Sequence, residues 1–452
     1  MKRIAGILKD FFALHQQKVV QATAPGRLDI MGGFTDFAGG LLLQKPLDQP
    51  STAYLAVTEA PTLRLQYYFQ SELIATFESD YSTLLGQFNT LNYDFIHEQI
   101  LKLENGSLLL PIISSIILFF EKKNIKREGI DLVIVSELPV GKGVGSMASY
   151  EVAALRAMAE WYNAELLPTE LPGIALQAEN LLAKIPTGGA GQFASFSFKN
   201  QALTVFHANP PEIFHSIDIP DAIHFIGIET GAPVSPQSAQ YEAVRAATFM
   251  GYTIIALASG ATLHDLEVAK STGNWSALPF EGNVGRINPS EFEDKYLHLL
   301  PESMSGDEFY HTYKITMDTV SFIDRDRTYA IRTCTKHPVY ESFRVKLFAQ
   351  IVKNYSTEFQ DYSNRLSLLG ELMFQSHQSY SDCGLGHEDA DWIVQRVKDI
   401  GPKKGLYGAR ITDTGAGGTV CVLCSGITSP EHVASIHEEL QQKLGRPLAY
   451  FE

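Results

Sequence analysis

Cysteine is scarce, with four in 452 residues (Cys334, Cys383, Cys421 and Cys424). So few and so scattered, they cannot build the disulfide framework of a small secreted scaffold. Cys421 and Cys424 have the spacing of a CxxC pair, but Thr419-Val-Cys-Val-Leu-Cys424 reads as a β-strand, where positions three apart face opposite ways. Buried strand thiols are expected there, not zinc or redox chemistry. Positive charge is also short: 36 Lys and Arg against 51 Asp and Glu leave a net charge of −15 with no basic block. This argues against nucleic acid or an anionic membrane surface as a partner. Long hydrophobic runs are missing too. The longest, Leu108 to Phe120, contains Pro111, Ser114 and Ser115 and is too short to span a bilayer. Behind Met1-Lys-Arg, Lys9 and Asp10 interrupt the apolar residues that a signal peptide needs. Ile4, Ile7, Leu8, Phe11 and Phe12 fit an amphipathic helix instead. A cytoplasmic protein is expected.

Glycine is neither rare nor abundant, but its distribution is uneven. The 35 Gly and 21 Pro are average usage and exclude collagen-like, low-complexity and largely disordered chains. Yet 14 of the 35 glycines fall in 39 residues: Gly26 to Gly40, Pro139 to Ser149, Pro186 to Gln192 and Thr414 to Thr419. An even spread would put about three there, so these are places where backbone turns sharply or approaches a ligand.

The hydrophobic periodicity sets the clusters between elements. Val19 to Ala22 and Ile130 to Val135 are β-rich and lead into the first two clusters. Ala148, Val152, Leu155, Met158 and Tyr162 recur at helical spacing after the second. A helix over about 173–184 precedes the third. Strands are predicted over 202–206, 223–228, 406–412 and 419–424, and helices over about 239–258, 343–354, 360–379, 389–399 and 430–444. Residues 263–320, rich in Ser, Asn, Gly and acids, read as an insertion or irregular connection. The pattern predicts an α+β protein of two lobes, with residues 1–205 as one domain and 206–452 as the other.

Pro139-Val-Gly-Lys-Gly-Val-Gly-Ser-Met-Ala-Ser149 lies between a strand and a helix. Alternating glycines let backbone N–H groups face one point, and the helix start adds its positive dipole end, which suits a phosphate. Gly-Lys-Ser/Thr at Walker A spacing is absent. Lys142 is a candidate to neutralise phosphate, with a solvated loop lysine as the bland alternative. In the first cluster, Arg27 and Asp36 sit on an unusually free backbone. A fixed carboxylate accepts two sugar hydroxyl protons, and a guanidinium stabilises developing phosphoryl charge.

Together these segments resemble the GHMP kinase superfamily, with its Pro-Gly-Arg loop, Pro-x-Gly-x-Gly-x-Ser-Ser loop and C-terminal glycine loop, here Tyr407-Gly-Ala-Arg-Ile-Thr-Asp-Thr-Gly-Ala-Gly-Gly418. Gly26-Arg-Leu-Asp-Ile-Met-Gly-Gly-Phe-Thr-Asp-Phe37 is similar to the signature of the sugar 1-kinase branch. Ser376-His-x-Ser379, Cys383-Gly-Leu-Gly386 and Tyr241-Glu-Ala-Val-Arg245 also have counterparts there. Lys336-His-Pro-Val-Tyr-Glu-Ser-Phe-Arg-Val-Lys346 resembles the L-arabinokinase branch.

The resemblance implies a ribosomal S5 domain 2-like N-lobe, a ferredoxin-like C-lobe, and ATP with Mg²⁺ in the cleft between them. It implies a catalytic Arg27 by the anomeric hydroxyl and γ-phosphate, and Asp36, Gly188 and Tyr241 about the sugar. Pro139, Gly141, Lys142, Gly143, Gly145, Ser146, Met147 and Ala148 would hold ATP, and Glu179 and Ser146 would hold the metal. Galactokinases carry a Glu at the position of Gly33, whereas arabinokinase-like chains carry Gly. Two departures stand out. Gly191 replaces the usual catalytic Asp, and Met147 replaces a Ser that ligates Mg²⁺, although a thioether suits a hard cation poorly. The expected function is therefore an ATP-dependent sugar 1-kinase, the alternative being a weak or inactive paralogue that senses sugar or nucleotide. A kinase for a non-sugar alcohol is disfavoured by the Asp36 loop and Tyr241.

Overall fold

The computed structural model describes residues 2–16, 18–88, 90–165, 167, 169–198, 202–354 and 359–452. Helices and strands are mixed throughout, as predicted, and the chain divides into two compact units, each discontinuous in sequence. The first comprises Met1–Arg27, Pro46–Val140 and Gly145–Phe198, the second Leu28–Lys45, Gly141–Val144 and Lys199–Glu452. Two long strands, β1 (Val20–Met31) and β2 (Leu41–Thr58), contribute to both units.

In the first unit, β3 (Thr62–Phe69) pairs antiparallel with β4 (Glu72–Asp80) on one edge. It pairs parallel with β5 (Gly129–Ser136) on the other, Leu63 lying opposite Ile130. The latter half of β2 runs antiparallel to β5, with Ser51 opposite Ser136. Helices Gly106–Lys122, Ser146–Trp161 and Glu170–Gln177 supply the rest of the core, including Ile113, Ile117, Leu155 and Met158. The apolar run 108–120 is thus a core helix, in which all residues from Leu109 to Phe120 are buried. No helix among the described residues is long and apolar enough to cross a membrane.

In the second unit, β6 (Leu203–Ala208) joins the start of β2 to β7 (Pro211–Ile217). The main sheet begins with β8 (Ile223–Glu229). After a two-residue ladder of β9 (Met304–Ser305) and β10 (Thr328–Tyr329), it continues with β11 (Leu406–Ile411), β12 (Thr419–Ser425) and β13 (Tyr450–Phe451). Its order is β11-β12-β8-β13, antiparallel throughout. Helix Ala239–Ala258 and its successors connect β8 to β11, and helix Ser429–Leu444 connects β12 to β13. A β-α-β-β-α-β chain folded in that order is ferredoxin-like. Cys421 and Cys424 are buried on β12, as expected of strand thiols.

Three elements differ from the sequence reading. Strand β1 runs on through Pro25 and Gly26 to Met31, so Arg27 lies in a strand and not on a loop. The stretch 263–320 is less irregular than expected, because Thr262 and Asp265 form a reciprocal capping box that starts helix Leu263–Thr272. Helix Ile331–Lys353 begins twelve residues before the expected Phe343 and passes through Pro338. A proline there frees the carbonyl four residues earlier. That carbonyl, of Cys334, accepts the Thr248 hydroxyl at 3.1 Å, so the helix continues.

Candidate active site

The loop between β5 and helix Ser146–Trp161 is shaped by Gly141, Gly143 and Gly145, with φ of 72°, 71° and 71°. These left-handed values at alternate positions are ones only glycine adopts cheaply. Gly145 is the helix N-cap and offers the first-turn amides no side-chain acceptor. Such a helix start suits a bound phosphate. Lys142 is not the solvated loop lysine of the bland alternative. Its ammonium pairs with Glu229 at the end of β8. The Thr419 hydroxyl donates to the Lys142 carbonyl at 2.6 Å, and the Val234 amide to the Gly141 carbonyl at 2.8 Å. The second and fourth glycine clusters therefore meet.

Within the first unit, the Arg27 stem crosses Gly145. A Cβ there would lie 2.9 Å from Arg27 Cγ, so the glycine makes room for the arginine. Ser146 and Ala148 are buried, while Met147 packs against the apolar core of this unit. Glu179 lies in a π-turn, Ala178–Leu182, that continues helix Glu170–Gln177, and it is buried rather than solvated. Its Oε2 accepts the Thr187 hydroxyl at 2.5 Å. Beside it stands Glu151, which sequence reasoning missed. Burial first, then the charge of Glu179, push the Glu151 carboxyl well above the usual range, which favours its protonated form. The Ser115 hydroxyl donates to Glu151 at 3.1 Å. A carboxylate three residues after Ala148, on the helix's apolar face, was the available signal. Gly188 is buried in the turn before Gly189, the N-cap of helix Ala190–Ser197. A Cβ on Gly191 would come within 2.9 Å of the Ala148 Cβ.

In the second unit, the Gly33–Ala38 turn carries Asp36, buried, with its Oδ1 accepting the Phe37 amide at 3.0 Å. Tyr241 packs edge-on to Phe37 at 6.1 Å between ring centroids. Burial, then the Asp36 charge, raise its phenol well above the usual range and keep it protonated. Arg245 lies over Phe37 at 5.0 Å and forms a two-pronged pair with Asp318 at 3.0 and 3.1 Å. The stretch 263–320 thus contributes Asp318 to this cluster. Gly33 has φ of 29°, and the Tyr380 hydroxyl lies 1.5 Å from where its Cβ would be, so no larger residue fits while Tyr380 stays.

Residues 111–197, which include the phosphate-type loop, Glu179 and Gly188, match the GHMP kinases N terminal domain. The chain is 28% identical to an L-arabinokinase of Arabidopsis thaliana over 97% of its own length, but spans only 46% of that protein. It is 24% identical to a galactokinase of Thermotoga maritima, over 96% of this chain and 97% of that one. The crystal structure of Lactococcus lactis galactokinase complexed with galactose matches with a TM-score of 0.70 at 16% identity, covering 99% and 97% of the two chains. Methanococcus jannaschii mevalonate kinase matches with a TM-score of 0.51 at 13% identity, over 95% and 96%. The chain carries a GHMP kinase N-terminal domain, and its fold is that of the GHMP kinases.

Proposed function

We propose that the chain, with residues 1–205 and 206–452 as its domains, is a cytoplasmic ATP-dependent kinase that phosphorylates the anomeric hydroxyl of a free monosaccharide. The observation that carries this reading is the likeness to a galactokinase over 96% of this chain and 97% of that one. Phosphoryl transfer passes through a loose transition state, so positioning and charge neutralisation do most of the work. In this reading the loop from Pro139 to Ala148 holds the ATP phosphates through backbone amides, Lys142 included, since its ammonium is engaged by Glu229. Arg27 stabilises the charge that develops during transfer, Asp36 accepts sugar hydroxyl protons, and Gly188 and Tyr241 bound the sugar.

Mg²⁺ usually takes one or two carboxylates plus substrate phosphates rather than an all-protein cage. No group of three or more metal-ligating side chains occurs among the described residues. Buried Glu179 and Ser146 supply the hard oxygens for such a site, whereas Met147 is partly buried against the apolar core. When bound, the metal would neutralise phosphate charge. Gly191 supplies no base, so the hydroxyl proton goes to water.

The test is a phosphate-transfer assay with ATP and Mg²⁺ across L-arabinose, D-galactose, D-glucuronate and other free sugars. Turnover of at least one sugar is expected. No turnover on any, together with a thermal shift from sugar or nucleotide, would replace the kinase with a sensor.

A further inference from the structure

Helix Ile331–Lys353 grips the loop that carries Asp36 at both ends. Glu341 is completely buried, and its Oε1 accepts the Gly32 amide at 3.1 Å and the Ser376 hydroxyl at 2.7 Å. Its Oε2 accepts Arg344 Nε at 2.6 Å. The Oγ of Ser342, the next residue, accepts the Leu41 amide at 3.1 Å. One turn earlier, the His337 ring lies flat on Phe34, with centroids 3.9 Å apart and planes 12° from parallel. The three contacts fall at the start, inside and at the end of the segment around Asp36.

That segment needs outside support. Gly32 and Gly39 flank its short 3₁₀ turn with φ of 108° and 67°, and glycine in such conformations loses more freedom on ordering than any other residue. A helix that only packed against the loop would need apolar side chains. Burying a carboxylate is costly unless a cation and donors satisfy it. Here one of those donors is the amide that opens the loop, while the adjacent hydroxyl takes the amide that closes it.

We propose that Glu341 and Ser342 are positioning residues for sugar binding, fixing the Gly32–Leu41 loop and hence the place of Asp36 without touching the sugar. This rests on the sugar-kinase reading above. The test compares the full-length wild type with Ser342→Ala, Ser342→Thr and Glu341→Gln by amide hydrogen exchange and steady-state kinetics. Exchange at Gly32 and Leu41 should rise at least tenfold in Ser342→Ala and Glu341→Gln. The sugar KM should rise at least fivefold, with kcat and the ATP KM within twofold, and Ser342→Thr should restore both readouts. Ser342→Ala removes one hydroxyl and carries the test if Glu341→Gln does not fold. Unchanged exchange, or a kcat loss at constant sugar KM, overturns the proposal. If the wild type phosphorylates no sugar, the kinase reading fails. Exchange alone then decides, a tenfold rise upholding the fixing of the loop and an unchanged rate overturning it.

Discussion

The Arg410 guanidinium meets the Asp29 carboxylate at 3.1 Å, and both side chains are completely buried. Arg410 also donates to the Asp29 and Ile30 carbonyls and to the Tyr380 hydroxyl, while Asp29 Oδ2 accepts the Asp413 amide at 3.0 Å. Burial works against the guanidinium's charge, but Asp29, together with Tyr380 and Glu341, offsets it and holds the Arg410 pKa above its ordinary value. The pair ties the first glycine cluster to β11 and to the residue that precedes the fourth.

Arg410→Leu would leave a buried carboxylate without its cation, and a loss of about 3–5 kcal/mol is expected. The double variant Asp29→Leu/Arg410→Leu should lose less than the sum of the two single changes. Urea denaturation midpoints measure this, and additive losses would show that the two groups do not act as a pair.

Much of this arrangement was legible in the sequence, for physical reasons that can be named. Alternating glycines at 141, 143 and 145 announced a sharply turning loop, and all three have positive φ. The apolar spacing from Ala148 to Tyr162 announced the helix that follows. What stayed hidden depends on pairing across long separations. Glu341 reaches Gly32 over 309 positions and Arg245 reaches Asp318 over 73, and no local pattern encodes either. The early start of the helix through Pro338 was hidden for the same reason, since its freed carbonyl is satisfied by the distant Thr248. Thr262 and Asp265 form a local signal that was legible but overlooked amid polar surroundings.

Gly33→Ala should be badly tolerated. The added methyl would sit 1.5 Å from the Tyr380 hydroxyl, and Tyr380 is pinned by Arg410 and by its own bond to the Asp413 carbonyl at 2.8 Å. Overpacking and the positive φ each cost about 1–3 kcal/mol, so the denaturation midpoint should fall markedly. A midpoint within error of the wild type would mean that Tyr380 swings away freely.

Gly191→Asp tests whether a missing base limits the proposed transfer. The new Cβ would meet the Ala148 methyl at 2.9 Å, so the aspartate alone would be displaced. Gly191→Asp with Ala148→Gly removes that methyl at a helix-propensity cost of about 1 kcal/mol. The double variant should raise kcat at least tenfold over wild type, since general bases contribute about 10²–10⁴-fold. It should also exceed Gly191→Asp alone. An unchanged rate would show that proton removal does not limit turnover.

Acid should separate wild type from Glu341→Gln. Burial raises the Glu341 pKa, but the Arg344 guanidinium and His337 beside it oppose this, and the carboxyl is pushed down to about 2. Arg410 and the Ser376 hydroxyl act in the same direction. A carboxyl with a folded pKa below its unfolded one stabilises the fold above the unfolded value, and that stability is lost as pH falls through the folded value. The window is therefore about pH 4.5 to 2, and the contribution at neutral pH is on the order of 3 kcal/mol. His337, pushed down to about 3 by burial against the opposing charge of Glu341, destabilises the fold as pH drops in both proteins, and below about pH 3 more so in Glu341→Gln, which lacks that charge. Denaturation midpoints at pH 7, 4.5 and 3 should show wild type more stable at neutral pH and the gap closing below pH 4.5. A gap that stays constant would mean that the Glu341 charge does not contribute to the stability of the fold.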